Sequence, residues 1–425
     1  MAEITPFRGI RYNDGRYADL SPVLAPPYDV ISAADLEQLL SRSNRNVARL
    51  ILGGQAPGPK EDLGKYAHSA TLLDEWLIDE TLIQDRVPAV YLLDQEFEVD
   101  GERKVRRAFI ARLRFEAFGK GCVFPHEETM PGPKADRLAL MRATRMNMSQ
   151  IFGLYADDGA AQSVLDRMAE VDPAGEGTGI DGVKNTVRVI YHPGLIKELA
   201  GALADRRIIV ADGHHRYETA VAYRAELRVR RGPLTLDQPY EFVSVALVSM
   251  TDPGLAIRAT HRLVSGVKGF APDALFDKIT EDFDVEEVGP DGQAILSRLA
   301  ELADRHALGI VTGRGSRVVV RKSGTRGATG SARDLDTHIL HHEIFGKMLM
   351  LGPDSWRKGG PIDYVQSADE CIAAVSRGDA QLAALVNPTR MDEVEAIALA
   401  GRKMPPKSTF FHPKLPTGIV INPLI

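Results

Sequence analysis

Cysteine is nearly absent: Cys122 and Cys371 are the only two in 425 residues. Two cysteines so far apart imply neither a disulfide framework nor a cysteine metal site. No apolar run approaches the length of a membrane-crossing helix. The opening MAEITPFRG lacks the basic region and apolar stretch of a secretory signal, so the expected compartment is the cytoplasm. An excess of positive charge is missing as well. Lys and Arg number 52 against 58 Asp and Glu, a formal net charge of −6. That balance argues against nucleic acid or an anionic membrane surface as the main partner. The common nucleotide and metal signatures are also lacking. No Gly-rich loop ends in Gly-Lys-Ser or Gly-Lys-Thr, which excludes a P-loop. Gly175, Gly177 and Gly179 have no strand signal before them and no helix signal after, so they make no dinucleotide fingerprint. His126-Glu127-Glu128-Thr129 lacks the second histidine of a zinc-protease helix.

What is present is an ordinary globular composition, 44% hydrophobic and 26% charged, in a chain long enough for two or three domains. Strand-like and helix-like segments alternate, which predicts a mixed α/β (α+β) fold. Residues 88–99 and 103–115 flank Asp100-Gly101, a hairpin signal. A long charged loop, GKGCVFPHEETMPGPKAD, leads into a helix over 137–151. Residues 173–182 read as a flexible surface loop. Strands follow at 186–191, 207–211 and 242–250. The spacing divides the chain into a main α/β domain over 1–267, a small α/β subdomain or insertion over 268–328, and a 329–425 segment packing back on the main domain. The last of these holds helices near 334–350, 367–376 and 391–401 and a strand over 381–387.

The stretch ADGHHRYETA, residues 211–220, concentrates the chemistry. Apolar Ile208, Ile209 and Val210 precede it and helical apolar spacing follows, so Gly213 falls on a strand-to-helix turn. A helix N-terminus offers unpaired N–H groups and partial positive charge to an anion. Asp212, His214, His215 and Arg216 beside it suit an active site; the plainer alternative is a helix cap with solvated histidines. A second cluster is HEETMPGPKADR, where Glu127 could act as a base and Lys134 and Arg137 could bind phosphate, or which could be a solvated loop. A third lies at Lys407, Ser408 and Thr409, followed by Phe410 to Lys414, with donors for phosphate or carboxylate. A docked C-terminal tail explains it equally. His338, His341 and His342 share a helix face where a metal is conceivable, but the helix is amphipathic and exposed or core-edge histidines are the simpler account. Ala25-Pro-Pro-Tyr28-Asp29 reads as a rigid turn presenting Tyr28 and Asp29.

Taken together, PFRGIRY, LAPPYDVIS, HEETMPGPKADRL, NMSQIFGLY, ADGHHRYETA, LVNPT and MPPKSTFFHPKLPTG resemble the family known as domain of unknown function 1015. The DGHHR element is also similar to the phosphate-binding turn of the ParB/sulfiredoxin superfamily, in which free serine kinases have a comparable arrangement. That resemblance implies a ParB/sulfiredoxin-like nucleotide-binding core with additional α/β elaborations. It implies a nucleotide-dependent kinase for the hydroxyl of a small metabolite, with free L-serine favoured, ATP or ADP as donor and Mg²⁺ present. Under this expectation Gly213, His214, His215, Arg216, Lys134 and Arg137 bind the nucleotide, and Glu127, Asp212 and His215 are catalytic. Asp212 is also the expected metal ligand, while Tyr28, Asp29, Lys407, Ser408 and Thr409 hold the substrate. A phosphohydrolase using the same site and a non-catalytic nucleotide-binding regulatory protein are the alternatives. A homo-oligomer is compatible with all three.

Overall fold

The computed structural model describes the chain except residues 54–61, 100, 117–120, 128–131, 232–236, 325, 328 and 357–359, and the side chains of 62–65 and 132–133. It is a mixed α/β protein of two compact units. The first comprises Met1–Pro125, Thr129–Ala256 and Pro413–Ile425, and the second His126–Glu128 and Ile257–His412.

Among the described residues, the first unit is built on a nine-stranded mixed sheet. Val90–Val99 and Glu102–Arg114 form its central antiparallel pair, in register from Tyr91↔Ile110 to Val99↔Glu102. The connection between them has two residues, with Gly101 at φ +77°. This is the hairpin that Asp-Gly predicts, although Asp100 itself lies outside the described residues. Phe242–Ser249 pairs antiparallel with Glu102–Arg114 and parallel with Ile151–Tyr155. Ile208–Asp212 follows, antiparallel to Ile151–Tyr155, and Val123–Pro125 completes that side in parallel. All eight residues of Phe242–Ser249 are buried, as expected of a strand with both faces covered.

Two sequence expectations are corrected here. The helix expected over 137–151 runs Gly132–Thr144 and stops at Arg145, which takes φ +59°. Residues 151–155, apolar enough to continue either element, are a central strand instead. The expected loop at 173–182 contains the edge strand Gly175–Thr178, paired with Lys184–Ile190. One of its glycines, Gly177, serves close approach. A Cβ on Gly177 would stand 2.5 Å from the backbone nitrogen of Ser21.

The second unit holds a six-stranded, wholly antiparallel sheet in the order Phe283–Val288, Gly315–Arg321, Ala307–Thr312, Leu382–Val386, His261–Val264, Ile362–Val365. Residues 268–328, expected as a small subdomain, supply three of these strands. They are hydrogen-bonded into one sheet with strands from 261–264, 362–365 and 382–386. Alternate residues feed opposite cores: Leu308, Ile310, Val319 and Ala384 on one face, Ala307, Val311, Val318 and Ala383 on the other. The helices Pro272–Asp282 and, on the opposite core, Gly292–Glu301 and Ala368–Arg377 contribute the covering side chains. The helix expected near 334–350 is a short α-turn, Asp336–Ile339, followed by a π-helix over Leu340–Met348.

Candidate functional site

The 212–216 turn lies at the end of a distorted strand. In the ladder between Ile208–Asp212 and Ile151–Tyr155, Val210 opposes Gly153 while Asp212 opposes Phe152, so Ala211 is a bulge. Strict alternation would return Asp212 to the face of Ile208 and Val210, which pack in the main core. The bulge breaks that alternation one residue before the carboxylate. Gly213 then takes φ +89°, and the 18-residue helix His214–Arg231 begins. A side chain at Gly213 would crowd the Arg216 guanidinium at 3.0 Å.

Asp212 is a junction of charges. Its Oδ1 accepts the Gly213 N–H at 2.7 Å, and its Oδ2 lies 3.2 Å from Lys414 Nζ and 3.7 Å from Arg216. Burial pushes its carboxyl pKa up, but Lys414, Arg216 and the Gly213 N–H outweigh burial and hold it well below the usual carboxylate range. Both oxygens are therefore engaged with donors. Among the described residues no group of three or more His, Cys, Asp or Glu is placed to hold a metal ion. Arg216 also donates to the Ser149 hydroxyl at 3.2 Å and to the Gln150 carbonyl. His214 is buried at the first helical position, and His215 is half-buried beside it.

Arg216 lines a cleft of about 40 Å³ together with Tyr28, Arg137, Ser149, Met146 and Met148. Three residues singled out separately in sequence, Tyr28, Arg137 and Arg216, thus meet in the first unit. Arg137 is largely spoken for: it donates to Asp136 at 2.8 Å, the Ile51 carbonyl at 3.0 Å and the Tyr66 hydroxyl at 2.9 Å, and stacks 4.0 Å over Tyr28. Lys134 makes an ion pair with Glu218. Asp29 is exposed in the turn after Tyr28.

Arg106 and Gln95 were not singled out as site residues, and Lys414 only closed the third cluster, yet they form the support beneath Asp212. Arg106 is fully buried and stacks 4.8 Å over the Phe152 ring. It donates to the Pro413 carbonyl at 2.6 Å and to Gln95, and burial pushes it down to about 9. Gln95 donates in turn to the Lys414 carbonyl at 3.3 Å. Six residues along the same strand, Arg112 donates to Asn422 and to the Pro423 carbonyl, both at 2.7 Å. Alternation puts Arg106 and Arg112 on one face, so a single strand clamps the chain's last residues at two points.

In the second unit, Glu127 and the 404–409 segment come together. Glu127 bridges Met404, and its Oε1 accepts the Lys407 N–H at 3.2 Å. Lys407 takes φ +60° and is exposed. Ser408 is buried, donating to the Pro405 carbonyl at 2.8 Å and lying 3.0 Å from the Thr337 hydroxyl; Thr409 pairs with His126 at 2.9 Å. These hydroxyls thus have partners within the second unit. His341 is buried and accepts from Arg262 at 3.2 Å, while His338 and His342 stack at 3.9 Å. His341 is thus a core histidine, His338 is half-buried and His342 is exposed.

Fold and turn together define a mixed α/β protein with a cationic strand-to-helix turn. The chain belongs to the family described as Protein of unknown function (DUF1015), whose model matches residues 4–338. No curated protein matches it. Among solved structures it is similar to a mutant free serine kinase in complex with AMP, at 10% identity and TM-score 0.36, over 68% of this chain and 84% of that one. It is also similar to a conserved hypothetical protein from Pyrococcus furiosus, at 11% and 0.32 over 70% and 90% of the two chains. SbnI with C-terminal truncation from Staphylococcus aureus matches at 12% and 0.34, over 69% and 81%.

Proposed function

We propose that the Gly213 turn binds phosphate and that the protein is a nucleotide-dependent kinase acting on the hydroxyl of a small metabolite. One observation carries this reading. A bulged strand and a left-handed glycine deliver the N-terminus of a long helix, with His214, His215 and Arg216 in its first turn, beside an ionised Asp212. Helix N–H groups and a guanidinium fork suit phosphate oxygens. Phosphoryl transfer is catalysed mainly by positioning and by charge aimed at the moving group, so such a turn can do much of the work. Free L-serine is the favoured acceptor because the DGHHR element resembles the turn of free serine kinases. ATP or ADP is the donor, with Mg²⁺ on its phosphates.

Asp212 serves in this reading as counter-ion to Arg216 and Lys414. A carboxylate held so firmly ionised takes up a proton poorly, which makes it a weak general base. The same observation favours a second reading, a nucleotide-binding protein without turnover. Purified protein incubated with Mg²⁺, ATP or ADP and a panel of hydroxylated amino acids and sugars separates the readings by mass spectrometry. Phosphoserine is the expected product. Free phosphate without a phosphorylated acceptor would make the protein a phosphohydrolase, and binding without any product would favour the second reading.

A further inference from the structure

We propose that Lys414 is a phosphate-binding residue of the 212–216 turn, held there by Arg106 and Gln95; this rests on the turn binding a nucleotide. The carbonyls of Pro413 and Lys414 are both fixed by side chains from the central hairpin, Arg106 at 2.6 Å and Gln95 at 3.3 Å. Two anchors on consecutive residues leave the Lys414 backbone little freedom. Its ammonium therefore meets Asp212 at 3.2 Å as a positioned group and not as a wandering surface lysine.

The pair is not sealed away. The side chains of Lys414 and Asp212 are 19% and 27% exposed, and that of Arg216 is 13% exposed, so each keeps some access to solvent. Lys414 also lines a small cavity in which Gln95, Asn185 and Asp181 stand beside Leu24, Pro26 and Pro416. The Lys414 ammonium donates to Asp212 Oδ2. Lys414 and Arg216 then flank one carboxylate from two distant parts of the chain, giving two cations on one side of the Gly213 turn. Charge-assisted hydrogen bonds from an ammonium and a guanidinium suit the oxygens of a phosphate group.

The test measures ATP affinity by calorimetry, with Mg²⁺, on the full chain. Lys414→Met keeps length and apolar stem but removes the charge, and should weaken ATP binding by about tenfold to a hundredfold, the worth of one charge-assisted hydrogen bond. Lys414→Arg restores a cation and should stay within about threefold to tenfold of wild type. The deciding variant is the double Lys414→Met, Asp212→Asn. If Lys414 binds phosphate, the double stays weak. If Lys414 only neutralises Asp212, removing both charges restores wild-type affinity and the proposal is overturned. Wild-type affinity in Lys414→Met overturns it as well. Arg216→Ala supplies the separate arm. Loss of ATP there with Lys414→Met unaffected overturns this inference alone, while a wild-type protein that binds no ATP or ADP overturns the phosphate reading beneath it.

Discussion

Arg216 and Glu127 carry the sharpest expectations for single side chains. Arg216→Ala removes a planar fork that can hold two oxygens at once, and nucleotide binding should weaken by about 2–3 kcal/mol. The measurement is calorimetry on a variant whose melting shows it is folded, because Arg216 also ties the helix to Ser149 and Gln150. Unchanged affinity would move the phosphate site elsewhere. Glu127→Gln keeps an acceptor oxygen for the Lys407 N–H, so folding stability should change by less than about 1 kcal/mol. It does lose the capacity to take a proton. A base at this position would show itself as a fall in turnover of about a hundredfold to ten-thousandfold with nucleotide affinity intact. A near wild-type rate would leave Glu127 as the anchor of the strained Lys407 backbone, and no more.

At the level of elements, the turn after the Ile208–Asp212 strand depends on one glycine. Gly213→Ala asks an L residue to adopt φ +89° and costs about 1–2 kcal/mol in backbone strain. The new methyl also presses on the Arg216 guanidinium. Lower melting together with weaker ATP binding is expected; wild-type melting would mean that the turn relaxes to another conformation. The Glu102–Arg114 strand shows how an element serves a site it does not belong to. Arg106 and Arg112 bond the carbonyls of Pro413 and Pro423, so Arg106→Met leaves a buried acceptor without its donor. Such a loss costs about 1–3 kcal/mol. The last residues should then become open to carboxypeptidase digestion well before the rest of the chain unfolds. Resistance equal to wild type would assign the anchoring to Arg112 and the Ile10–Ile421 bridge instead.

On the scale of the whole molecule, acid should act on the second unit first. Burial, reinforced by neighbouring arginines, pushes His261 down to about 4. Burial and His342 do the same to His338, and burial with Arg262 holds His341 well below the usual histidine range. The unfolded chain takes up these protons near pH 6.5, while the native state refuses them until far lower pH. The unfolded state thus binds more protons in between, and stability rises with pH there. Stability is whole above about 6.5 and is lost progressively as pH falls towards 4. Calorimetric unfolding at pH 5, in two buffers of different ionisation enthalpy, should show proton uptake. Uptake of none would mean that these histidines are already charged in the folded protein. Asp212 responds lower still: with its pKa depressed, its contribution is present above the ordinary aspartate range and disappears only in stronger acid.

The chain's own pattern was enough for the local features. Asp-Gly between two apolar runs specified the central hairpin, and apolar Ile208–Val210 followed by Gly213 and helical spacing specified the strand, turn and helix of the site. Each is a short-range decision, made by the φ a glycine can adopt and by the period of apolar residues. The 173–182 segment went unread because its glycines signal flexibility in sequence, and only the backbone of Leu20 and Ser21 packed against Gly177 explains them. The 151–155 strand went unread beyond the end of a helix-like run, since a fully buried strand has no polar alternation to announce it. Arg106 was illegible for a stronger reason: a charged side chain in a strand reads as solvent-facing, whereas here exposed Val105 and buried Arg106 have exchanged places. What reverses them is a carbonyl more than three hundred residues away, at Pro413. Long-range pairing of that kind leaves no trace in neighbouring residues, so only the tertiary structure could bring Lys414 to Asp212.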